Sequence, residues 1–507
     1  MPPTEKTAET MTKRQRWAAL ALLSAGLVMI TIDMTILFIA LPKLTAELRS
    51  TTTEQLWIVD IYPLILAGLL IPMSAVADRI GRRKALLIGF TLFGLVSLLV
   101  LFATSSAMVI GLRAMLGVAG ALIMPTTLSM VRSIFTDPME RTRALAVWSM
   151  FAEVGAIIGP LVGGTLLEFF SWHAAFLINV PVAVAVVILG LILLPEARDP
   201  NPPRWDFLAV AYSIAGMVAI VWGIKNAAKH NWVDLAAWGV LLAGVLLIAL
   251  FVVRCLRSNE PLIDVRLFTS KPFTAGIIVA LTTSLAMGGI MLLLAQWLQI
   301  IAGYTPLLAG AALMPMILGS LVSSLLAPEA ARCIGARNVV GLALVIAGGG
   351  MLLLGAMGNL TSYWQLITPM LMVGVGLGSL VIASAIIMGS TPVAKAGNAA
   401  ALEECTYELG DVLGIAIIGS VAAASYRANL PVGGLGKPLA DATQESLVGA
   451  LSVARDLSLP DLAAQAVTAF NTGIVQASLA GGVIILLAAV VVFMMVPKDF
   501  DIAAAEH

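Results

Sequence analysis

Between Ala399 and Tyr426 an apolar stretch of membrane-spanning length carries four carboxylates: Glu403, Glu404, Glu408 and Asp411. Acids at that depth cost about 2.5–3.5 kcal/mol each on insertion scales, so an uncompensated set costs on the order of 10 kcal/mol. They must face protein or water, and the chemistry open to them is holding a cation or exchanging a proton. At about 100° per residue, 404, 408 and 411 fall at i, i+4 and i+7 on one helical stripe, with 403 about a quarter turn away. Solvation at a frayed helix end is the other reading for Glu403 and Glu404, but Glu408 and Asp411 lie too deep for it.

A second charged set is spread along the first half of the chain. With a rise of ~1.5 Å per residue, Asp33 lies about 12 Å inward from the end of its apolar run near Leu41. Asp60 lies about 6–9 Å from the start of the second run and Arg113 about 9 Å from the start of the fourth. The three can meet, and an intramembrane arginine between two acids can change partner when one of them takes a proton. A static pair that only satisfies burial is the competing account. Glu153, roughly 15 Å into the fifth run and on a different face from Gly155, is a further candidate cavity acid. Trp57 and Tyr407, with Tyr62 and Trp148, offer π faces to a cation, and 23 methionines offer an adaptable wall.

Other chemistries find no support. Cys255, Cys333 and Cys405 lack metal-ligand spacing and read as packing residues, and His173, His230 and His507 are isolated. No metal, no cofactor and no enzymatic constellation is expected. A formal net charge of zero gives no reason to invoke nucleic acid.

The elements that must position these groups are transmembrane helices. The 507 residues are 60% hydrophobic and 11% charged, with a mean hydropathy of +1.00, too little polar surface to cover a soluble body. Apolar runs of roughly 18 to 30 residues make about fourteen spans, the first from Trp17 to Leu41, the seventh over 207–224 and the last over 472–496. Loops on the N-terminal side hold about 21 of the basic residues and the opposite loops about 7, which places both termini in the cytoplasm. The expected organisation is a tail over 1–16, six helices over 17–194, a linker with two extra helices over 195–271, six helices over 272–496 and a tail over 497–507. The proline-rich break from Pro195 to Asp206 sets off the inserted pair. The long outer segment 427–471 shows helical periodicity at Leu447, Ala450, Leu451 and Ala454, and again from Leu462 to Phe470, which predicts a short helical hairpin at the outer mouth.

Several motifs have physical readings of their own. In the turn Ala77-Asp78-Arg79-Ile80-Gly81-Arg82-Arg83-Lys84, Gly81 permits a sharp reversal, and Asp78 can cap a helix or pair with Arg82. A weak echo, Ala331-Arg332-Cys333-Ile334-Gly335-Ala336-Arg337, follows the second span of the last six. Gly155, Gly159 and Gly163 strip one helix face for close packing, Gly164 follows them, and Pro160 can add a bend.

Taken together, these motifs resemble the major facilitator superfamily. The segment from Ser74 to Lys84 is similar to its signature between the second and third helices, and Gly155 to Gly164 to its fifth-helix antiporter motif. Asp33-Met34-Thr35-Ile36 with Ala40-Leu41-Pro42, and Trp172-His173 with Phe176-Leu177-Ile178-Asn179-Val180-Pro181, resemble signatures of the fourteen-helix drug:proton antiporters. Gly397 to Glu404 with Tyr407-Glu408-Leu409-Gly410 narrows the likeness to exporters of quaternary ammonium compounds and methyl viologen. Two departures stand out: Ser74 replaces a usual Gly, and Leu116 removes a polar partner for Arg113. The stretch Leu313 to Ser324 has no acid, with Ser320 in the plausible position, so a preference for bivalent cations is not presumed.

The resemblance implies an all-α polytopic protein of two six-helix bundles plus two inserted helices in a bacterial cell membrane. It implies export of lipophilic cations, such as quaternary ammonium antiseptics, cationic dyes and viologens, driven by the proton gradient, with no obligatory protein partner. Glu403, Glu404, Glu408, Asp411, Glu153, Trp57 and Tyr407 are then the expected cation site, and Asp33, Asp60 and Arg113 the proton-handling set. Transport of a metabolite is the alternative, with a membrane sensor or enzyme behind it.

Overall fold

The computed structural model describes residues 11–196, 206–230, 232–258, 261–392, 395–432 and 435–497, without the side chains of residues 138, 142, 153 and 157. Among the described residues fourteen helices are long and apolar enough to cross a membrane. They are α1 (Lys13–Leu48), α2 (Thr52–Ile80), α3 (Arg82–Phe102), α4 (Ser106–Ile134), α5 (Pro138–Phe169), α6 (Ala174–Leu193), α7 (Phe207–Lys229), α8 (Leu235–Arg257), α9 (Lys271–Ile301), α10 (Pro306–Ile334), α11 (Ala336–Ala356), α12 (Trp364–Gly389), α13 (Ala396–Asn429) and, after two short helices, α16 (Pro460–Met495). Helix is what such segments must form, since lipid offers no partner to backbone N–H and C=O groups. The helices outrun the apolar runs. Thr12, five residues before Trp17, caps α1 in a reciprocal pair with Gln15, and α7 continues past Ile224 to Lys229. Hydropathy marks where a helix is apolar, whereas the hydrogen-bonded helix runs on through its polar ends.

The helices pack in two sets with one pairing rule. In the first set α1 lies on α5, α2 on α4 and α3 on α6; in the last, α9 lies on α13, α10 on α12 and α11 on α16. The faint sequence echo marks this repetition: Gly81 at φ 105° and Gly335 at φ 85° make the same reversal after the second helix of each set. A left-handed φ of this kind favours glycine, which explains why that residue survives where the Asp does not. At the first turn Arg82 Nε donates to Asp78 Oδ1 at 2.9 Å across the reversal, and Arg83 Nη2 donates to the Leu191 carbonyl at 2.5 Å, tying the turn to α6. Asp78 is in the last turn of α2 and pairs with Arg82; it does not cap α3.

The glycine face of α5 lies on α1. A Cβ at Gly155 or Gly159 would stand 1.9 Å from the hydroxyl of Thr31 or Thr35, and one at Gly163 would stand 2.5 Å from Ile36. Gly164 and Pro160 meet the start of α10 instead, where Gly164 approaches the Pro306 carbonyl and Gly310 approaches that of Pro160. Gly159→Val is therefore expected to cost about 1–3 kcal/mol by overpacking. Thermal unfolding of the purified protein checks it, and an unchanged midpoint would show that α1 yields freely.

Two seams join the sets, α2 against α13 and α5 against α10. Two polar contacts between the sets lie toward the end bearing the 427–471 segment, Gln299 Nε2 donating to the Ile39 carbonyl at 3.0 Å and Thr52 Oγ1 to the Glu445 carbonyl, and a third, Cys405 Sγ to the Ala67 carbonyl at 3.4 Å, lies midway along α2. The inserted helices pack on each other through Gly216, Gly223 and Gly244. They cover the α2–α13 seam, where Met217 and Val221 of α7 pack on Leu64, Val412 and Ala416. After α8, Asp264 meets Lys395 at 2.6 Å, and the hydrogen bond from that ammonium holds the Asp264 carboxyl below its ordinary range.

The 427–471 segment is helical, with a different division from the one expected. Its helices are α14 (Lys437–Glu445) and α15 (Leu447–Asp456), whereas the periodic stretch Leu462 to Phe470 forms the first turns of α16. Leu447, Ala450, Val453 and Ala454 pack with Tyr426, Leu462 and Ala466 in a cluster of their own. A second correction concerns the cysteines. Cys255 and Cys405 are buried, but Cys333, in the last turn of α10, is exposed and is not a core packing residue.

Candidate functional site

The acids of α13 are held by close backbone packing. A Cβ at Gly410 would stand 2.6 Å from the Leu281 carbonyl and one at Gly414 would stand 2.1 Å from that of Leu285, so α13 rests directly on α9. Gly288 of α9 faces Asp411 in return. Just beyond, the helix loosens into a π-turn at Ile415–Gly419, a feature common at functional sites because it re-aims side chains. Glu403 and Glu404 lie about two turns inside α13, which removes the frayed-end reading. Glu403 is buried and accepts a hydrogen bond from Tyr407 Oη at 2.5 Å, so both residues are tied locally. Glu408 is buried, while Glu404 and Asp411 keep part of their surface accessible. Neither Glu408 Oε2 nor Asp411 Oδ1 meets a donor among the described residues.

The first-half charges divide into two pairs. Arg113, 1% exposed, donates from Nη1 to Asp33 Oδ2 at 2.7 Å and from Nε to the Ile58 carbonyl at 3.3 Å, with its guanidinium 4.5 Å from the Tyr62 ring centroid. Asn179 Nδ2 of α6 donates to Asp33 Oδ1 at 2.7 Å, giving both carboxylate oxygens a partner. This network meets the needs of a buried charge, and it supplies Arg113 with contacts where Leu116 offers none.

Asp60 does not join it. Its partner is Lys225 of α7, with Nζ 2.6 Å from Oδ2, and the same ammonium stands 4.1 Å from the centroid of Trp57. The expected three-way contact among Asp33, Asp60 and Arg113 is thus replaced by two separate pairs. The physical reason is competition: α7 brings a cation of its own to the face of α2 that carries Asp60, while Arg113 is already paired with Asp33. The two pairs adjoin the α13 acids, since Tyr62 lies within electrostatic reach of Asp33 and Glu408, and Asp60 within reach of Asp411.

Sequence reasoning missed Lys225 and Asn179. Lys225 follows the apolar run 207–224 and read as a loop charge, although a helix that continues to Lys229 keeps it inside the bundle; its signal was an ammonium about one turn from the helix end. Asn179 stood in a motif without a role. The Glu153 side chain lies outside the described residues. Trp148 Nε1 has no partner among the described residues. Among the described residues no group of three or more His, Cys, Asp or Glu side chains is placed to hold a metal ion.

Fourteen apolar helices, twelve of them in two similarly paired sets, with titratable groups buried among them, are the architecture of a secondary transporter. The chain belongs to the Major Facilitator Superfamily, whose sequence model matches residues 23–415. Within it the chain resembles the multidrug-resistance exporters. It is 38% identical over 488 residues to the multidrug efflux pump LfrA of Mycolicibacterium smegmatis, covering 95% of this chain and 97% of the relative. It is 35% identical over 466 residues to the methyl viologen resistance protein SmvA of Salmonella typhimurium, covering 89% and 92%. A bacterial homolog of the human lysosomal transporter Spinster shares the fold at a TM-score of 0.64 and 17% identity, over 96% of this chain and 98% of that one.

Proposed function

We propose that this protein exports lipophilic cations in exchange for protons by alternating access, with both termini on the cytoplasmic side of a bacterial cell membrane. The observation that carries the reading is the pair Glu408 and Asp411, acids with unpartnered oxygens on a helix whose buried stretch has no basic residue. A substrate cation is their natural counter-charge. Likeness to a multidrug efflux pump and a methyl viologen resistance protein supports the same class of cargo. Asp33 with Arg113 handles the proton, and Glu404, Glu408 and Asp411 hold the cation. A proton moving inward releases ~2.3 kcal/mol per 100 mV and about 1.4 kcal/mol per pH unit, enough to move a cation uphill when proton and cation are carried in opposite half-cycles.

Uptake of a fluorescent cation into inverted vesicles tests this directly. Accumulation that needs an imposed proton gradient is the expected result; no gradient-dependent uptake of any cation in a dye and quaternary-ammonium panel would favour a metabolite as cargo. Orientation has its own check. In a cysteine-free background, single cysteines at Asn201 and Ser458 should label from opposite faces, Asn201 from the cytoplasm; labelling from one face would refute the fourteen-span count.

A further inference from the structure

The inserted helices cover one of the two seams between the bundles, and at that seam α7 sends a lysine inward. Lys225 is 3% exposed and its ammonium lies between the Asp60 carboxylate at 2.6 Å and the Trp57 ring at 4.1 Å. An ammonium between a carboxylate and an indole face is how proteins hold alkylammonium ligands. Met217, Val221, Leu64 and Val412 wall the place with apolar surface. The chemistry of the spot is therefore that of a lipophilic-cation subsite, already filled by a side chain.

The pair is poorly made as structural glue. Apart from the Lys225 contact, neither Asp60 oxygen meets a hydrogen-bond donor among the described residues, whereas Asp33 has donors on both oxygens. A buried ion pair with unmet lone pairs is worth less than apolar residues of the same volume, and α7 already packs on the seam through Met217 and Val221. Beyond the pair the surroundings are acidic: Asp411 lies within electrostatic reach of Asp60, and Glu408 within reach of Asp411. At its far end α7 is anchored independently, by Arg427 Nη2 donating to the Ala228 carbonyl at 2.8 Å and by Lys229 beside Glu445 at 3.7 Å. Lys225 sits one turn before that end, so losing its contact would leave the stretch of α7 before it held on the seam by apolar contacts such as those of Met217 and Val221, with Ala228 and Lys229 still attached.

We propose that Lys225 is a tethered occupant of a cation subsite built from Trp57 and Asp60, and that an exported lipophilic cation takes this subsite by displacing the lysine ammonium, which loosens α7 from the α2–α13 seam. The inference rests on the export reading and adds to it a subsite and a role for the inserted helices. It also gives a source of selectivity: a diffuse, weakly hydrated aromatic cation competes better against a tethered ammonium than a small, strongly hydrated one does.

Equilibrium binding of tetraphenylphosphonium to the purified full-length protein tests it. Lys225→Met removes the resident cation and is expected to bind about fivefold tighter or more, whereas Lys225→Arg, which stacks and pairs more strongly, is expected to bind more weakly than wild type. A purely structural lysine would not give opposite signs. In wild-type protein, where folding of a variant is not at issue, saturating tetraphenylphosphonium should speed amide hydrogen exchange over residues 216–229. Binding that is unchanged or weaker in Lys225→Met, or exchange over 216–229 that is unchanged or slower, overturns the proposal and leaves the export reading intact. Failure of wild type to bind tetraphenylphosphonium at all would overturn the export reading with it.

Discussion

Asp33→Asn is expected to abolish proton-driven accumulation of tetraphenylphosphonium in proteoliposomes while retaining exchange of labelled for unlabelled cation. Exchange needs no net proton movement, so it survives the loss of a group whose task is to take up and release the proton. A gradient of one pH unit supports up to about tenfold accumulation per proton exchanged for a monovalent cation, and this should fall to the level reached without a gradient. The side chain is well placed for such a role: Arg113 and Asn179 hold its two oxygens at 2.7 Å each, so protonation would release a buried guanidinium that the Ile58 carbonyl and the Tyr62 ring retain. Leaving Arg113 without its acid costs about 3–5 kcal/mol, so a reduced folded yield is expected as well. Adding Arg113→Leu to the variant removes the orphaned charge and should restore yield without restoring accumulation. Loss of binding and exchange in a folded Asp33→Asn variant would instead put Asp33 in the cation site.

The second large effect is expected from Glu408→Gln. Glu408 is 4% exposed, and its Oε2 has no donor among the described residues, so its charge is available to a bound cation at low dielectric. Truncating one partner of a buried charge pair costs about 2–5 kcal/mol, hence a loss of affinity of tenfold or more, with accumulation and exchange falling together. Glu404→Gln should do the same to a smaller extent, because Glu404 is more accessible and its charge better screened. Calorimetric titration with tetraphenylphosphonium reads both. If the two glutamine variants keep wild-type affinity while Asp33→Asn loses it, the roles given to the two acid sets are reversed.

Much of this protein is determined by its sequence alone. Fourteen apolar segments can only be helices in lipid, and four acids in one of them can only face protein or a cavity. The glycine face of α5 and the reversal at Gly81 were legible because each rests on a local property, an absent Cβ or an accessible φ, whereas Gly335 stood only in a weak echo of that turn. Depth was legible too, since rise per residue is constant, and it correctly put Asp33 level with Arg113.

Partnership was not. A helical wheel gives direction and depth on one helix, but which cation meets Asp60 depends on which helix lies against that face of α2 and how far it is rotated. The tertiary structure decided it by laying α7 on the α2–α13 seam. That choice brings Lys225 to Asp60 over 165 residues of sequence. Likewise Asn179, one polar residue at the start of a hydrophobic helix, became a ligand of Asp33 only when α6 packed beside α1. Burial supplies the reason in both cases: within lipid an ionised group binds whatever counter-charge or donor packing brings within reach, and packing is a property of the whole bundle.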